Sequence, residues 1–245
     1  VKNTVTNLYG KEYDSSPTIT REGEALGSYY GYVADGYFQS QEEIDMADCV
    51  YGGNKANIKP GYIRYVDVNH DGEINSKDRV ILGNSTPRYE YSFTLGGQWK
   101  GIDLSLFFQG VGKRDLYYSG AGARPLVQNS TIFKSQLDTW SPENPDAEYP
   151  LLLVDAGSTN MNNIVSSFWI KSGAYLRLKN LTVGYTLPKK WTNRVSIDNL
   201  RLYFTASNLF TINNGYKGYD PETGVTSGAM YPVMKTFNFG INLDF

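Results

Sequence analysis

The stretch "YEYSFTLGGQWKGIDLSLFFQG", Tyr89 to Gly110, decides the fold class. In its first half Tyr89, Tyr91, Phe93, Leu95, Gly97 and Trp99 alternate with Glu90, Ser92, Thr94, Gly96, Gln98 and Lys100. In its second half Ile102, Leu104, Leu106 and Phe108 alternate with Asp103, Ser105 and Gln109, and Phe107 breaks the polar side. Successive side chains of a strand point to opposite faces, so this alternation reads as two strands, each apolar on one face and polar on the other. Trp99 and Ile102 flank Lys100-Gly101. A two-residue turn there makes a tight hairpin whose register keeps the apolar face continuous.

The same grammar recurs downstream. "NLRLYFTAS" sets Leu200, Leu202, Phe204 and Ala206 against Arg201, Tyr203, Thr205 and Ser207. "LTVGYTL" sets Leu181, Val183, Tyr185 and Leu187 against Thr182, Gly184 and Thr186. Leu176 and Leu178 have the other parity, which predicts a bulge near Lys179 or Asn180. "TFNFGINLDF" closes the chain with Phe237, Phe239, Ile241, Leu243 and Phe245 on one side. Five long strands are expected, over 89–100, 101–112, 175–187, 199–212 and 235–245.

Two all-β architectures accept such strands. In a soluble β-sandwich the apolar face is a core; in a membrane barrel it meets lipid and the polar face lines the lumen. Segments of 9–12 residues match the roughly 9–11 that cross a bilayer at a tilt. Tyr89, Tyr91, Trp99, Trp191 and Phe245 lie at segment ends, where interfacial aromatic girdles sit. Connections alternate between short (Lys100-Gly101 and 188–199) and long (113–170 and 209–234), the outer-membrane pattern. These features favour the barrel.

Composition excludes several functions. A net charge of −2 supplies no field for nucleic acid or anionic lipid. One cysteine, Cys49, rules out an internal disulfide and a thiolate metal site; it reads as an inert thiol. No run of 18 apolar residues is present, so no transmembrane helix is expected. The opening "VKNTVTNLYG" has neither an initiator Met nor a signal peptide and reads as a chain entered partway. The only histidine, His70, has no partner for a triad. Asp220 and Glu222 could suggest glycosidase work, but "YDPETG" reads as a turn, and no enzyme is expected.

The loudest short motif is "DVNHDGEINSKD", Asp67 to Asp78. Oxygen-bearing residues at places one, three, five, nine and twelve, with Gly72 at six, match the spacing of an EF-hand calcium loop. The candidate ligands are Asp67, Asn69, Asp71, the Glu73 carbonyl, Asn75 and Asp78. The flanks "PGYIRYV" and "RVILGNSTP" leave no room for paired helices, and Asp78 stands where EF-hands carry a long bidentate Glu, as in dockerin-type loops. A fixed structural calcium is therefore expected rather than a sensor; the alternative is a polar turn without metal. Among loop aromatics, Tyr117, Tyr118, Trp140, Tyr149, Tyr216, Tyr219 and Tyr231 are candidates to stack on sugar rings or simply to pack loops.

Seven pieces of the chain, in order, resemble the C-terminal end of SusC/RagA-type TonB-dependent outer-membrane transporters. They are "GSYYGYVADGYFQSQEEI", "PGYIRYVDVNHDGEINSKDRVILGNSTP", "YEYSFTLGGQWKGIDLSLFFQGVGKRD", "SGAYLRLKNLTVGYTLPKKW", "NLRLYFTASNLFTI", "GYDPETG" and "YPVMKTFNFGINLDF". The resemblance implies the C-terminal strands of a large antiparallel barrel of about 22 strands with long extracellular loops. Residues 1–88 would be mainly extracellular loop carrying the calcium-type loop 67–78, and 89–245 would hold the five strands. It further implies import of oligosaccharides or peptides, a SusD-like surface lipoprotein as partner, and TonB acting through an N-terminal part absent from this chain. The outer membrane of a Gram-negative bacterium would be its place, with lipid and the remainder of the barrel around it. The competing reading is a soluble calcium-stabilised β-sandwich module for carbohydrate binding or adhesion.

Overall fold

The computed structural model describes residues 3–120, 122–126, 131–153, 161–192, 197–213, 215, 219–223, 231 and 233–245. The chain opens with strands β1 (Tyr13–Ser15), β2 (Thr18–Thr20), β3 (Ser28–Gly31) and β4 (Ala34–Tyr37), then helix α1 (Gln41–Met46), β5 (Ile63–Tyr65) and β6 (Val80–Asn84). The long strands β7 (Glu90–Trp99) and β8 (Ile102–Val111) follow, then short β9 (Asp115–Tyr117) and β10 (Ile170–Ser172). Strand β11 (Tyr175–Thr186), a single helical turn α2 (Lys189–Thr192), β12 (Asn199–Asn213) and β13 (Thr236–Asp244) complete it. The five long strands form one antiparallel sheet in the order β13-β12-β11-β8-β7. Their limits fall within a residue or two of those expected from alternation.

The sheet's register follows from its turns and bulge. Lys100 and Gly101 both take positive φ, 47° and 85°. That is the type I′ geometry, whose twist suits a two-residue hairpin. Gly101 has a second reason to be glycine, since a Cβ there would stand 2.7 Å from the Thr186 carbonyl oxygen. Between Leu178 and Asn180 the register of β11 shifts against both neighbours. The extra residue, Lys179, returns Leu176 and Leu178 to the apolar face, where Leu178 pairs with Phe108 and Phe210.

Registers then assemble apolar rows across the sheet: Leu104–Val183–Phe204–Phe239 and Ile102–Tyr185–Leu202–Ile241. Leu95, Ile241 and Phe239 are 55%, 63% and 84% exposed. A sandwich would bury this face under a second sheet, and none covers it among the described residues. The expected lipid-facing residues Phe93, Leu95, Ile102, Leu104, Leu106, Leu202, Phe204, Phe239, Ile241 and Leu243 all share it.

At the long-connection end the chain builds a second layer, in which the expected loop region 1–88 carries short strands. Strands β1-β2-β3-β6 form a sheet, and β4-β5 and β9-β10 form two-stranded ribbons. Helix α1 starts at Ser40, whose side chain accepts from the Glu43 amide, with Glu42 and Glu43 favouring the positive helix end. Three cores hold this layer, two of them shared between 1–88 and 113–172 and the one around Trp169 built without 1–88. One gathers Tyr32, Tyr37, Ile63, Tyr65, Ile74, Trp140 and Ala147. The others centre on Trp169 with Leu116 and Tyr118, and on Ile44 with Phe38. Trp140 Nε1 donates to Gln39 Oε1 at 2.9 Å, and Tyr37 Oη to the Ala147 carbonyl at 3.2 Å. These polar tips are satisfied, as buried tyrosine and tryptophan require.

With the apolar face in lipid, Leu106→Arg at mid-strand in the full-length protein should cost about 2–4 kcal/mol of folding free energy. Ser105→Arg, one residue away on the polar face, should cost far less. Denaturant titration of folding into lipid vesicles measures both, and equal costs would refute the assignment of faces.

Candidate functional site

The polar face of the large sheet carries fixed charge. Arg201 on β12 reaches past Gly184 of β11 to Asp103 on β8, with Nε and Nη2 donating at 2.9 and 2.6 Å. A Cβ on Gly184 would collide with both partners, so the glycine makes the three-strand clasp possible. Tyr203 lays its ring over Gly240 in the same way, and the Arg201 guanidinium lies 5.2 Å from that ring.

Nearer the long connections, Arg177 is almost fully buried. Its Nε donates to Thr211 Oγ1 at 2.7 Å, Nη1 to Glu222 Oε2 at 2.5 Å, and Nη2 to both Asp220 oxygens at 2.7 Å. Lys179, the bulge residue, bonds both Glu222 oxygens at 2.9 and 3.0 Å. Arg114 donates to the Pro221 carbonyl at 3.1 Å, and the Tyr219 ring meets Tyr118 edge-on with centroids 5.0 Å apart. Residues 219–223 are thus strapped to the polar face. Asp220 and Glu222, weighed above as a hydrolytic pair, are held by two cations.

The 67–78 loop is organised by its own backbone amides. Asp67 accepts from His70 N at 2.7 Å and Gly72 N at 2.9 Å, Asn69 from Asp71 N, and Asp71 from Glu73 N. Gly72 has φ 85° and His70 φ 59°, so the loop makes the sharp turn its spacing demands. Asn75 caps a short 3₁₀ turn, Ser76–Asp78, by accepting from Lys77 N. Asp78 is fully buried and accepts from Val68, Asn69 and Asn75 amides at 2.9, 3.3 and 2.8 Å. The Gly72 amide bond holds the Asp67 carboxyl below the ordinary carboxylate range.

The donor set is all oxygen, as calcium requires. Among the described residues, however, no three His, Cys, Asp or Glu side chains are gathered closely enough to hold an ion. The carboxylates are turned to backbone amides, and Lys77 lies 3.6 Å from Asp71. Nearby, burial pushes the Cys49 thiol up, so it stays protonated at neutral pH.

Most loop aromatics raised above are framework. Tyr118, Trp140 and Tyr149 are buried in the cores. Tyr117 lies in β9, not outside the strands, and holds the Arg124 guanidinium. Tyr219 packs on Tyr118, and Tyr231 is exposed. Tyr216 lies outside the described residues.

No family model matches the chain. The TonB-dependent receptor P3 of Formosa agariphila is 33% identical over 246 residues, covering 93% of this chain. The TonB-dependent receptor SusC of Bacteroides thetaiotaomicron is 28% identical over 218 residues, covering 88%. A structure of the RagAB peptide transporter superposes over 99% of the chain with a TM-score of 0.69 at 22% identity. The chain belongs to the SusC/RagA type of TonB-dependent outer-membrane transporters. It spans about a quarter of the length of the relatives it matches: 23% of P3, 20% of SusC and 26% of the RagAB chain. The five-stranded sheet is accordingly an arc of an outer-membrane β-barrel of a Gram-negative bacterium, open within this chain at β7 and β13. Its apolar face is the lipid face, and the Asp103–Arg201 and Arg177 clusters lie on the lumen face.

Arg177→Met should weaken the seating of residues 219–223 by on the order of 3 kcal/mol, because it leaves Asp220 without its cation and Glu222 with Lys179 alone. Thr211→Val removes one neutral contact and should cost about 1 kcal/mol. Hydrogen exchange of the 219–223 amides in the full-length protein reads both. Unchanged exchange in Arg177→Met would mean that another contact holds the strap.

Proposed function

We propose that this chain is part of the wall of an importer that brings nutrients, oligosaccharides first and peptides second, across the outer membrane. The observation that carries the reading is the two-faced sheet: an uncovered apolar face outward and a charged, hydrogen-bonded face inward. TonB acts on the whole protein from the periplasm, and a SusD-like lipoprotein docks on the outside. We assign 1–88, 113–170 and 213–234 to the extracellular side, where that lipoprotein would dock. The turn Lys100-Gly101 and residues 187–198 face the periplasm. The names of the relatives support this reading: two are TonB-dependent receptors, and the structural neighbour is a peptide transporter.

Growth on defined oligosaccharides or peptides as the only carbon source tests it. Deleting the full-length gene should abolish growth on at least one of them, and loss of TonB should have the same effect. Growth of both strains on every one of them would overturn the importer reading.

We further propose that the 67–78 loop takes a structural calcium ion through Asp67, Asn69, Asp71, the Glu73 carbonyl, Asn75 and Asp78. The twelve-residue spacing and the positive φ of Gly72 support it. Asp78 would serve both the ion and the three amides it already binds. On intact cells, chelator should speed surface proteolysis between Tyr62 and Asn84 and leave barrel migration on a gel unchanged; Asp71→Ala should mimic it. Independently of the ion, Asp67 with its lowered folded value stabilises the loop fully above its unfolded value, about pH 4, and loses that contribution as pH falls through the folded one. Proteolysis indifferent to calcium would leave a metal-free polar turn.

A further inference from the structure

Phe107 is the one aromatic side chain that interrupts the polar face of β8, and nothing above explains it. Its cross-strand neighbours are Thr94 on β7 and Asn180 on β11. It cannot gain from lipid, which lies on the other face. It belongs to none of the three cores and makes no ring contact with another described aromatic. It is half-buried at the edge of a cavity of about 540 Å³ lined by Glu90, Ser92, Gln109, Tyr175 and Glu222. The cavity lies on the lumen face at the long-connection end of the sheet, which is the mouth of the barrel, a common place for ligand sites.

We propose that this cavity is a subsite for an uncharged sugar ring, with Phe107 as its stacking platform; this rests on the importer reading. Ser92 and Gln109 stand directly opposite each other across the β7–β8 pair. Their side chains and that of Glu90 have no hydrogen-bond partner among the described residues. A hydroxyl, an amide and a carboxylate beside one aromatic face match a pyranose, whose C–H face stacks while its vicinal hydroxyls need both donors and acceptors. The far wall is rigid before any ligand arrives. Glu222 is fixed by Arg177 and Lys179, and Arg114 by the Ser85 and Pro221 carbonyls. Such preorganisation lowers the entropy lost on binding. The floor strands β8 and β11 are each paired on both sides, so an extended peptide finds no free edge to add to. Glu90 and Arg114 both line the cavity, so their charges offset one another, which suits a neutral ring.

The test is calorimetric binding to the purified full-length transporter, with maltohexaose, xylohexaose, mannohexaose and hexa-alanine as probes. At least one neutral hexaose should bind. Phe107→Ala should weaken it about five- to ten-fold, Gln109→Ala should weaken it in the same direction, and Phe107→Trp should keep it within about two-fold. Heat-modifiable gel migration confirms that each variant is folded, and the Trp variant keeps the ring if Phe107→Ala does not fold. Wild-type affinity in Phe107→Ala overturns the subsite while leaving the importer reading intact. Binding of hexa-alanine alone, or of no hexaose, overturns the sugar assignment. Only TonB-independent growth would overturn the importer reading itself.

Discussion

The fold depends on one constraint: inside a bilayer no water is available for a backbone N–H or C=O. Each unpaired group there costs on the order of several kcal/mol. The antiparallel ladders of β7, β8, β11, β12 and β13 meet that demand for every shared boundary. Strand β7, exposed along its whole length, and strand β13 each have one boundary left to pair. The remainder of the barrel is therefore part of the stability of this arc, and the pairing explains why the strands are long, regular and free of proline. The bulge at Lys179 is the one irregularity common to both of β11's ladders, and it places a cation where Glu222 needs one.

The two faces solve opposite problems. Outward side chains need only be apolar, because lipid makes no demand for jigsaw packing. Inward side chains must satisfy one another or meet water. Asp103 with Arg201, and Arg177 with Asp220 and Glu222, do so through charge-assisted bonds in which glycines leave the room. A buried ion pair adds little net stability over an apolar one of equal shape, yet it is costly to break. Such pairs suit a barrel wall, where a strap has to stay in register beside water.

The outer layer is built differently. Its strands are short, and its cores lean on tyrosine and tryptophan, whose polar tips donate to backbone carbonyls of other segments. Burial pushes the Tyr149 and Tyr219 hydroxyls up to about 12, so they stay protonated across physiological pH. The abundance of tyrosine in the chain thus has two origins, interfacial positions on the barrel and the packing of connections too long to be held by turns alone.

Alternation by itself determined the five long strands, the Lys100-Gly101 hairpin, the β11 bulge and the division into an apolar and a polar face. A period of two is a local property, and membrane strands keep it without interruption. The twelve-residue acidic loop was equally legible as a spacing. The outer layer was not, because β1 to β6 are short and contacts that fix them come from far along the chain: Tyr37 meets Ala147, and Ile63 meets Asn162. Nor could sequence show that Asp220 and Glu222 belong to Arg177 rather than to a catalytic pair, or that Asp78 accepts from three amides. Those assignments depend on which distant groups compete for the same oxygens, and only the tertiary structure decides that competition. Phe107 stands between the two cases: its break in the pattern is visible in sequence, but only the folded sheet puts it in a cavity beside Ser92, Gln109 and Glu222.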